Sequence, residues 1–110
     1  MSENTSDILF RLETLLRERK LAAPGSSYVA SMYAKGLDAI LKKVGEEAIE
    51  AILAAKGEDR AHLTREAADL LFHTLLMLAA KDIALADVLA ELDRREGTSG
   101  LDEKHSRTSL

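Results

Sequence analysis

The 110-residue sequence contains no cysteine and no tryptophan, a single proline, and only two tyrosines and two phenylalanines. Without cysteine there are no disulfides and no thiolate metal sites. With Pro24 as its one proline, little apart from the glycines interrupts a helix. There is no run of 18 apolar residues, so no membrane-spanning helix is expected. The start, Met1-Ser2-Glu3-Asn4-Thr5-Ser6-Asp7, has neither a basic beginning nor an apolar stretch and is not expected to act as a signal peptide. A net charge of −4 argues against a nucleic-acid binder that works through overall charge. The expected compartment is the cytoplasm.

What is abundant is Ala, Leu, Glu, Asp, Lys and Arg, with 46% apolar and 31% charged residues. That composition favours helix and can bury a core. The length fits one domain over 1–110, with a polar tail over 98–110 that has no apolar period. The expected fold is all-α: an antiparallel bundle of four to five helices, completed by dimerisation.

The helices can be placed by their stop and start signals. Ser6 or Asp7 can cap a first helix with the stripe Ile8, Leu9, Leu12, Leu15 and Leu16, ending near Lys20 before the turn Ala23-Pro24-Gly25-Ser26. Ser26 or Ser27 can cap a second, carrying Tyr28, Val29, Met32 and Tyr33, with Gly36 as its stop or kink. A third runs from Asp38 to about Ala55. Its broad apolar face holds Leu37, Ile40, Leu41, Val44, Ala48, Ala51, Ile52 and Ala55, while Ile49 and Leu53 fall on the opposite side. A helix apolar on two sides is buried from two sides, which points to a subunit interface. Asp59 is a good N-cap for a fourth helix over 60–80, nearly apolar all round from Ala67 onward. A last helix near 85–95 should turn Leu85, Val88, Leu89 and Leu92 inward and stop at Gly97.

Into this apolar pattern two carboxylate pairs are set: Glu47 and Glu50 in the third helix, Glu66 and Asp69 in the fourth. Residues three apart share a helix face, so antiparallel packing of the two helices would turn four carboxylates toward one another. Such a group repels itself and needs a cation, and all-oxygen ligation suits Mg²⁺, with Mn²⁺ as a substitute. Asp69 in a greasy helix asks for a partner. Glu46 points away from the core, either solvated or reaching a second ion. Lys43 is either an ordinary partner of Glu47 one turn on or a contact for a substrate phosphate. His73, one turn after Asp69, is either a structurally satisfied histidine or a substrate contact. Tyr28 and Tyr33 read as packing residues.

The run Glu46-Glu47-Ala48-Ile49-Glu50 followed by Glu66-Ala67-Ala68-Asp69 resembles the E-E-x-x-E…E-x-x-D pattern of the all-α nucleoside triphosphate pyrophosphatases, the MazG-like superfamily. Within it, Ser27-Tyr28, Lys35-Gly36, the block Lys43-Val44-Gly45-Glu46-Glu47, Leu70-Leu71-Phe72-His73 and the tail from Ser99 to Arg107 are similar to the phosphoribosyl-ATP pyrophosphatase family. Lys42 stands where Gln is expected from that family, and His105 where a small residue is usual. The resemblance implies Mg²⁺-dependent hydrolysis of phosphoribosyl-ATP to phosphoribosyl-AMP and pyrophosphate, the second step of histidine biosynthesis, by a homodimer or larger oligomer. It implies that Glu47, Glu50, Glu66 and Asp69 hold the metal and that one of them, or Glu46, takes a proton from the attacking water. Lys43, His73, Lys104 and Arg107 are the candidate substrate contacts. The alternatives are a house-cleaning pyrophosphatase acting on free nucleotides, or a non-catalytic helical dimerisation module. A di-iron bundle would need Glu-x-x-His pairs, and no Glu here is followed three residues later by His.

Overall fold

Glycine and capping residues divide the chain where the sequence places its breaks. The computed structural model describes residues 5–97, and the tail residues Lys104 and Arg107 lie outside them. Among the described residues five α-helices follow one another: α1 (Ile8–Glu18), α2 (Tyr28–Lys35), α3 (Leu37–Lys56), α4 (Arg60–Ala80) and α5 (Leu85–Glu96). No strand occurs among the described residues. Short 3₁₀ turns precede and follow α1 and lead into α2.

Each boundary has a local cause. Asp7 stands at the start of α1 without a capping bond and pairs instead with Arg11, one turn on. Ser27 caps α2 by accepting a hydrogen bond from the Ala30 N–H at 3.0 Å, a contact worth about 1 kcal/mol. Gly36 then takes φ +102°, a conformation that side chains disfavour, and turns the chain directly from α2 into α3. Asp59 caps α4 through the His62 N–H at 3.1 Å. At its other end α4 closes with Asp82 at φ 58°, the Asp82 N–H reaching the Ala79 carbonyl and the Ile83 N–H reaching that of Leu78. That pattern satisfies carbonyls otherwise orphaned at a helix end. The first turn of α5 has no side-chain cap of its own; Glu13 of α1 accepts the Leu85 N–H at 2.7 Å in its place.

The core gathers where α1, α2 and α5 meet the first turn of α3 and the second half of α4. Leu16, Ile40 and Leu76 are fully buried there, with Val29, Met32, Leu75, Ala79 and Leu85 around them. Tyr33 packs against this cluster and donates to the Leu16 carbonyl at 2.8 Å, so it is the packing residue its sequence context indicates.

Three helix faces differ from the sequence reading. In α3 the buried residues are Ile40, Glu47 and Ala54, a stripe of sevenfold spacing rotated away from the face expected to be inward. Ile52, placed on that inward face, is 61% exposed, alongside Ile49 at 59% and Leu53 at 62%. In α4, burial is confined to His73, Leu75, Leu76 and Ala79, leaving Leu71 exposed. In α5, Leu92 is exposed rather than inward, because α5 passes beyond the end of the core. The α3–α4 hairpin therefore extends past the other helices with an apolar outer surface.

Candidate metal centre

The hairpin brings three of the four predicted carboxylates together. One oxygen from each of Glu47, Glu66 and Asp69 lies within 4.8 Å of the others. Glu47 is 5% exposed, Glu66 is half-buried and Asp69 is exposed. The burial expected of Asp69 thus belongs to Glu47 instead. Glu50 stands at the margin of the group and is exposed. Its carboxyl pKa is raised by a hydrogen-bonding contact with Glu47, by the charge of Glu47, by desolvation and by the charge of Glu66.

The decisive feature is unsatisfied oxygen. Among the described residues, Glu47 Oε2 and Glu66 Oε1 are buried and have no hydrogen-bond partner. Ionised carboxylates only accept hydrogen bonds, so Glu50 in its ionised form offers Glu47 no donor. Buried, unpartnered carboxylate oxygens are costly, and a cation held between them removes the cost. Hard oxygen donors from two helices suit a divalent metal such as Mg²⁺ or Mn²⁺.

Basic and aromatic groups border the acidic ones. Lys43 Nζ lies 3.2 Å from Glu47 Oε1 and 3.9 Å from Glu46 Oε1, and the hydrogen bond to Glu47 is the main reason its pKa is raised. His62 Nε2 is 3.7 Å from Glu66 Oε2. His73, 6% exposed, has both ring nitrogens engaged: Nδ1 lies 2.8 Å from the Asp69 carbonyl and Nε2 2.8 Å from the Tyr28 hydroxyl. A carbonyl only accepts, so Nδ1 carries the proton, and neutral Nε2 accepts from Tyr28. Phe72 and Tyr28 each meet the imidazole edge to face. Of the two roles open to His73, the structural one matches this geometry: its two ring nitrogens are engaged within the fold, and it ties Tyr28 to the backbone of Asp69.

A sequence model described as phosphoribosyl-ATP pyrophosphohydrolase matches residues 9–96. The chain belongs to this family. Among its relatives, a phosphoribosyl-ATP pyrophosphatase of Dinoroseobacter shibae is 58% identical over 100 residues, 91% of this chain and 98% of the relative. The phosphoribosyl-ATP pyrophosphatase of Novosphingobium aromaticivorans is 55% identical over 103 residues, 94% of this chain and 96% of the relative. That of Aromatoleum aromaticum is 56% identical over 102 residues, covering 93% and 94%.

In this member of the phosphoribosyl-ATP pyrophosphohydrolase family, a cleft of about 460 Å³ opens beside the carboxylates. One wall is the α2 stripe Tyr28, Met32 and Lys35; the other is the α3 stripe Ala39, Lys42, Lys43 and Glu46. Sequence reasoning had assigned Tyr28 to packing and given Lys35 and Lys42 no role. The signal was present in the spacing: 28, 32 and 35 on one helix, and 39, 42, 43 and 46 on the next, each share a face. Gly36 hides it, since the two stripes face each other only once the chain has turned there.

Proposed function

We propose that the chain hydrolyses phosphoribosyl-ATP to phosphoribosyl-AMP and pyrophosphate, the second step of histidine biosynthesis, with Mg²⁺ held by Glu47, Glu50, Glu66 and Asp69. The observation that carries this reading is the pair of buried, partnerless carboxylate oxygens on Glu47 and Glu66 in a chain of the phosphoribosyl-ATP pyrophosphohydrolase family. Bare carboxylates repel a triphosphate, so the substrate reaches this centre only together with cations. When bound, Mg²⁺ neutralises phosphate charge and orients water for in-line attack. Water oxygen bonds to the α-phosphorus as the bond to the β-phosphate oxygen breaks, and pyrophosphate leaves. Glu46, exposed and lining the cleft, would take the proton released by the water. Lys43 joins the two regions: its ammonium holds Glu47 in position and faces the cleft, where it can meet a phosphate oxygen. Lys104 and Arg107 remain candidates for further phosphate contacts, Arg through its bidentate fork.

The test is pyrophosphate release with Mg²⁺ from phosphoribosyl-ATP set beside ATP and the other nucleoside triphosphates. Rapid turnover of phosphoribosyl-ATP alone is expected. Comparable turnover of free nucleotides would transfer the protein to the house-cleaning pyrophosphatases. Release from none would refute hydrolysis. Glu50→Gln and Asp69→Asn should abolish turnover with helix content intact; wild-type activity in either would remove that residue from the metal site.

Pairing of two copies completes the reading. Ile49, Ile52 and Leu53 form an exposed apolar stripe on α3 with Leu71 of α4 nearby in the same hairpin, and apolar surface of this kind marks association. A homodimer is the expected state in sedimentation, and Leu53→Glu should shift it to monomer. A wild-type monomer at micromolar concentration would refute the assignment. No helix among the described residues is long and apolar enough to cross a membrane, and an enzyme of small soluble nucleotides is assigned to the cytoplasm.

A further inference from the structure

Phosphoribosyl-ATP is phosphorylated at both ends: it carries a triphosphate and, on its added ribose, a monophosphate. The carboxylate centre with its metal serves the triphosphate. A chain that separates this substrate from ATP must recognise the other end. Resting on the phosphoribosyl-ATP reading, we infer that Lys35 and Lys42 grip the ribosyl monophosphate in the cleft between α2 and α3.

Three observations converge on these two lysines. They belong to a cleft of about 460 Å³, a volume within the range of small-molecule sites, which adjoins the metal centre through Lys43, 3.2 Å from Glu47. Next, their charges are free. Lys43 is held by Glu47 and Glu46, whereas Lys35 and Lys42 have no ion pair among the described residues. Two uncompensated ammonium groups at one mouth are an anion site in a chain whose net charge is −4. Finally, their placement is built by the backbone. Lys35 ends α2, Gly36 reverses the chain at φ +102°, and Lys42 follows Ala39 by three residues on the facing stripe. Met32 and Ala39 add apolar lining to the same cleft.

The polarity of the cleft sets the direction of the substrate. Tyr28, tied to His73 at 2.8 Å, marks the end beside the carboxylates, since the charges of Lys43, Glu47, Asp69 and Glu46 all act on its hydroxyl. On α3, Lys42 precedes Glu46 by a turn and Glu47 by five residues, and Lys35 lies beyond the Gly36 turn. The triphosphate therefore occupies the Glu47 end and the monophosphate the Lys35 end. Lys42 adds a second positive charge to that end of the cleft.

Equilibrium binding tests the assignment apart from turnover. Phosphoribosyl-AMP keeps the ribosyl phosphate and lacks pyrophosphate; AMP lacks the ribosyl phosphate altogether. Each is titrated by calorimetry into wild type, Lys35→Ala, Lys42→Ala and the double variant. A charge-assisted contact to phosphate is worth roughly tenfold in affinity. Lys35→Ala should weaken phosphoribosyl-AMP by roughly that factor and the double variant by more, and both losses should shrink at high salt. AMP affinity should not follow. Equal losses for both ligands would place the lysines on the nucleotide phosphate and overturn the assignment, as would no loss for either. In turnover, Lys35→Ala should raise KM for phosphoribosyl-ATP far more than it lowers kcat. If wild type binds phosphoribosyl-AMP but hydrolyses no phosphoribosyl-ATP, the hydrolase reading fails while the anion site stands.

Discussion

Replacing Glu47 with Gln should make the metal-free protein more stable, not less. One oxygen from each of Glu47, Glu66 and Asp69 lies within 4.8 Å of the others. At an effective dielectric constant of about 20, two like charges at that distance repel by about 3.5 kcal/mol. Counting the close group alone and leaving aside the exposed Glu50, which only adds repulsion, Glu47 takes part in two such repulsions and in one attraction, to Lys43 at 3.2 Å, worth about 5 kcal/mol on the same scale. Glu47→Gln removes all three with little change of shape, and the difference favours the variant by about 2 kcal/mol. Asp69 is exposed and Lys43 partly so, and water screening brings the gain closer to about 1 kcal/mol. For a domain of this size that is a rise of about 4–8 °C in Tm. Mg²⁺ should reverse the order: at a hundred times its Kd it stabilises wild type by about 2.7 kcal/mol, and the variant by much less.

The assay is thermal unfolding by circular dichroism in chelator and in Mg²⁺, at one fixed protein concentration because association shifts Tm. If Glu47→Gln melts several degrees below wild type in chelator, the buried carboxylate is a structural acceptor. If Mg²⁺ raises both proteins equally, the ion is not held by this group. Either result refutes the electrostatic account.

Other perturbations probe the scaffold. Glu13→Ala removes the borrowed cap of α5 and should cost about 1 kcal/mol, with faster hydrogen exchange at the Leu85 amide; unchanged exchange there would contradict the cap. Glu91 has a carboxyl pKa lowered to about 2 by its bonds to Arg94 and Arg95. A lowered native value supplies stability above the ordinary value of 4.5 that is lost as pH falls toward 2, so α5 helicity should decline across that interval. Glu91→Gln should flatten the decline, and an identical acid limb in the variant would show that the pairs contribute nothing. Gly45 is an exposed mid-helix glycine where an added Cβ meets nothing within 4 Å, on the same face as Ile49 and Ile52. Gly45→Ala should gain about 0.5–1 kcal/mol of helix propensity and weaken dimerisation; a tighter dimer would show that copies do not approach there.

Local signals in the sequence located the helices well, because Ser27, Gly36, Asp59 and Gly97 act through bonds and dihedral angles of their own neighbourhoods. The carboxylate pairs were legible for the same reason: three-residue spacing in a helix fixes a shared face. What the sequence concealed was tertiary. The face that α3 turns inward is set by its packing against α4, and apolar period alone assigns Ile52 to the wrong side. Glu13 reaches Leu85 across 72 positions, and no pattern along the chain announces such a cap. The Lys35–Lys42 cleft is split by a turn, so neither helix shows it singly, and the sequence leaves His73 open between a structural and a substrate role because Tyr28, its partner, is 45 positions away.

Every carboxylate of the centre comes from one hairpin, Glu47 to Asp69, joined by the short connection Gly57-Glu58-Asp59. Its contacts are short-range in sequence, and short-range contacts form early because little loop entropy is lost in closing them. The core, by contrast, needs Leu16 and Leu85 brought together from distant parts of the chain. The centre can therefore assemble before the core is complete. An ion that binds a structure already present in the folding transition state raises the folding rate and leaves the unfolding rate nearly untouched. Mg²⁺ would then act on this chain as a folding template, an effect read directly from refolding rates with and without the ion.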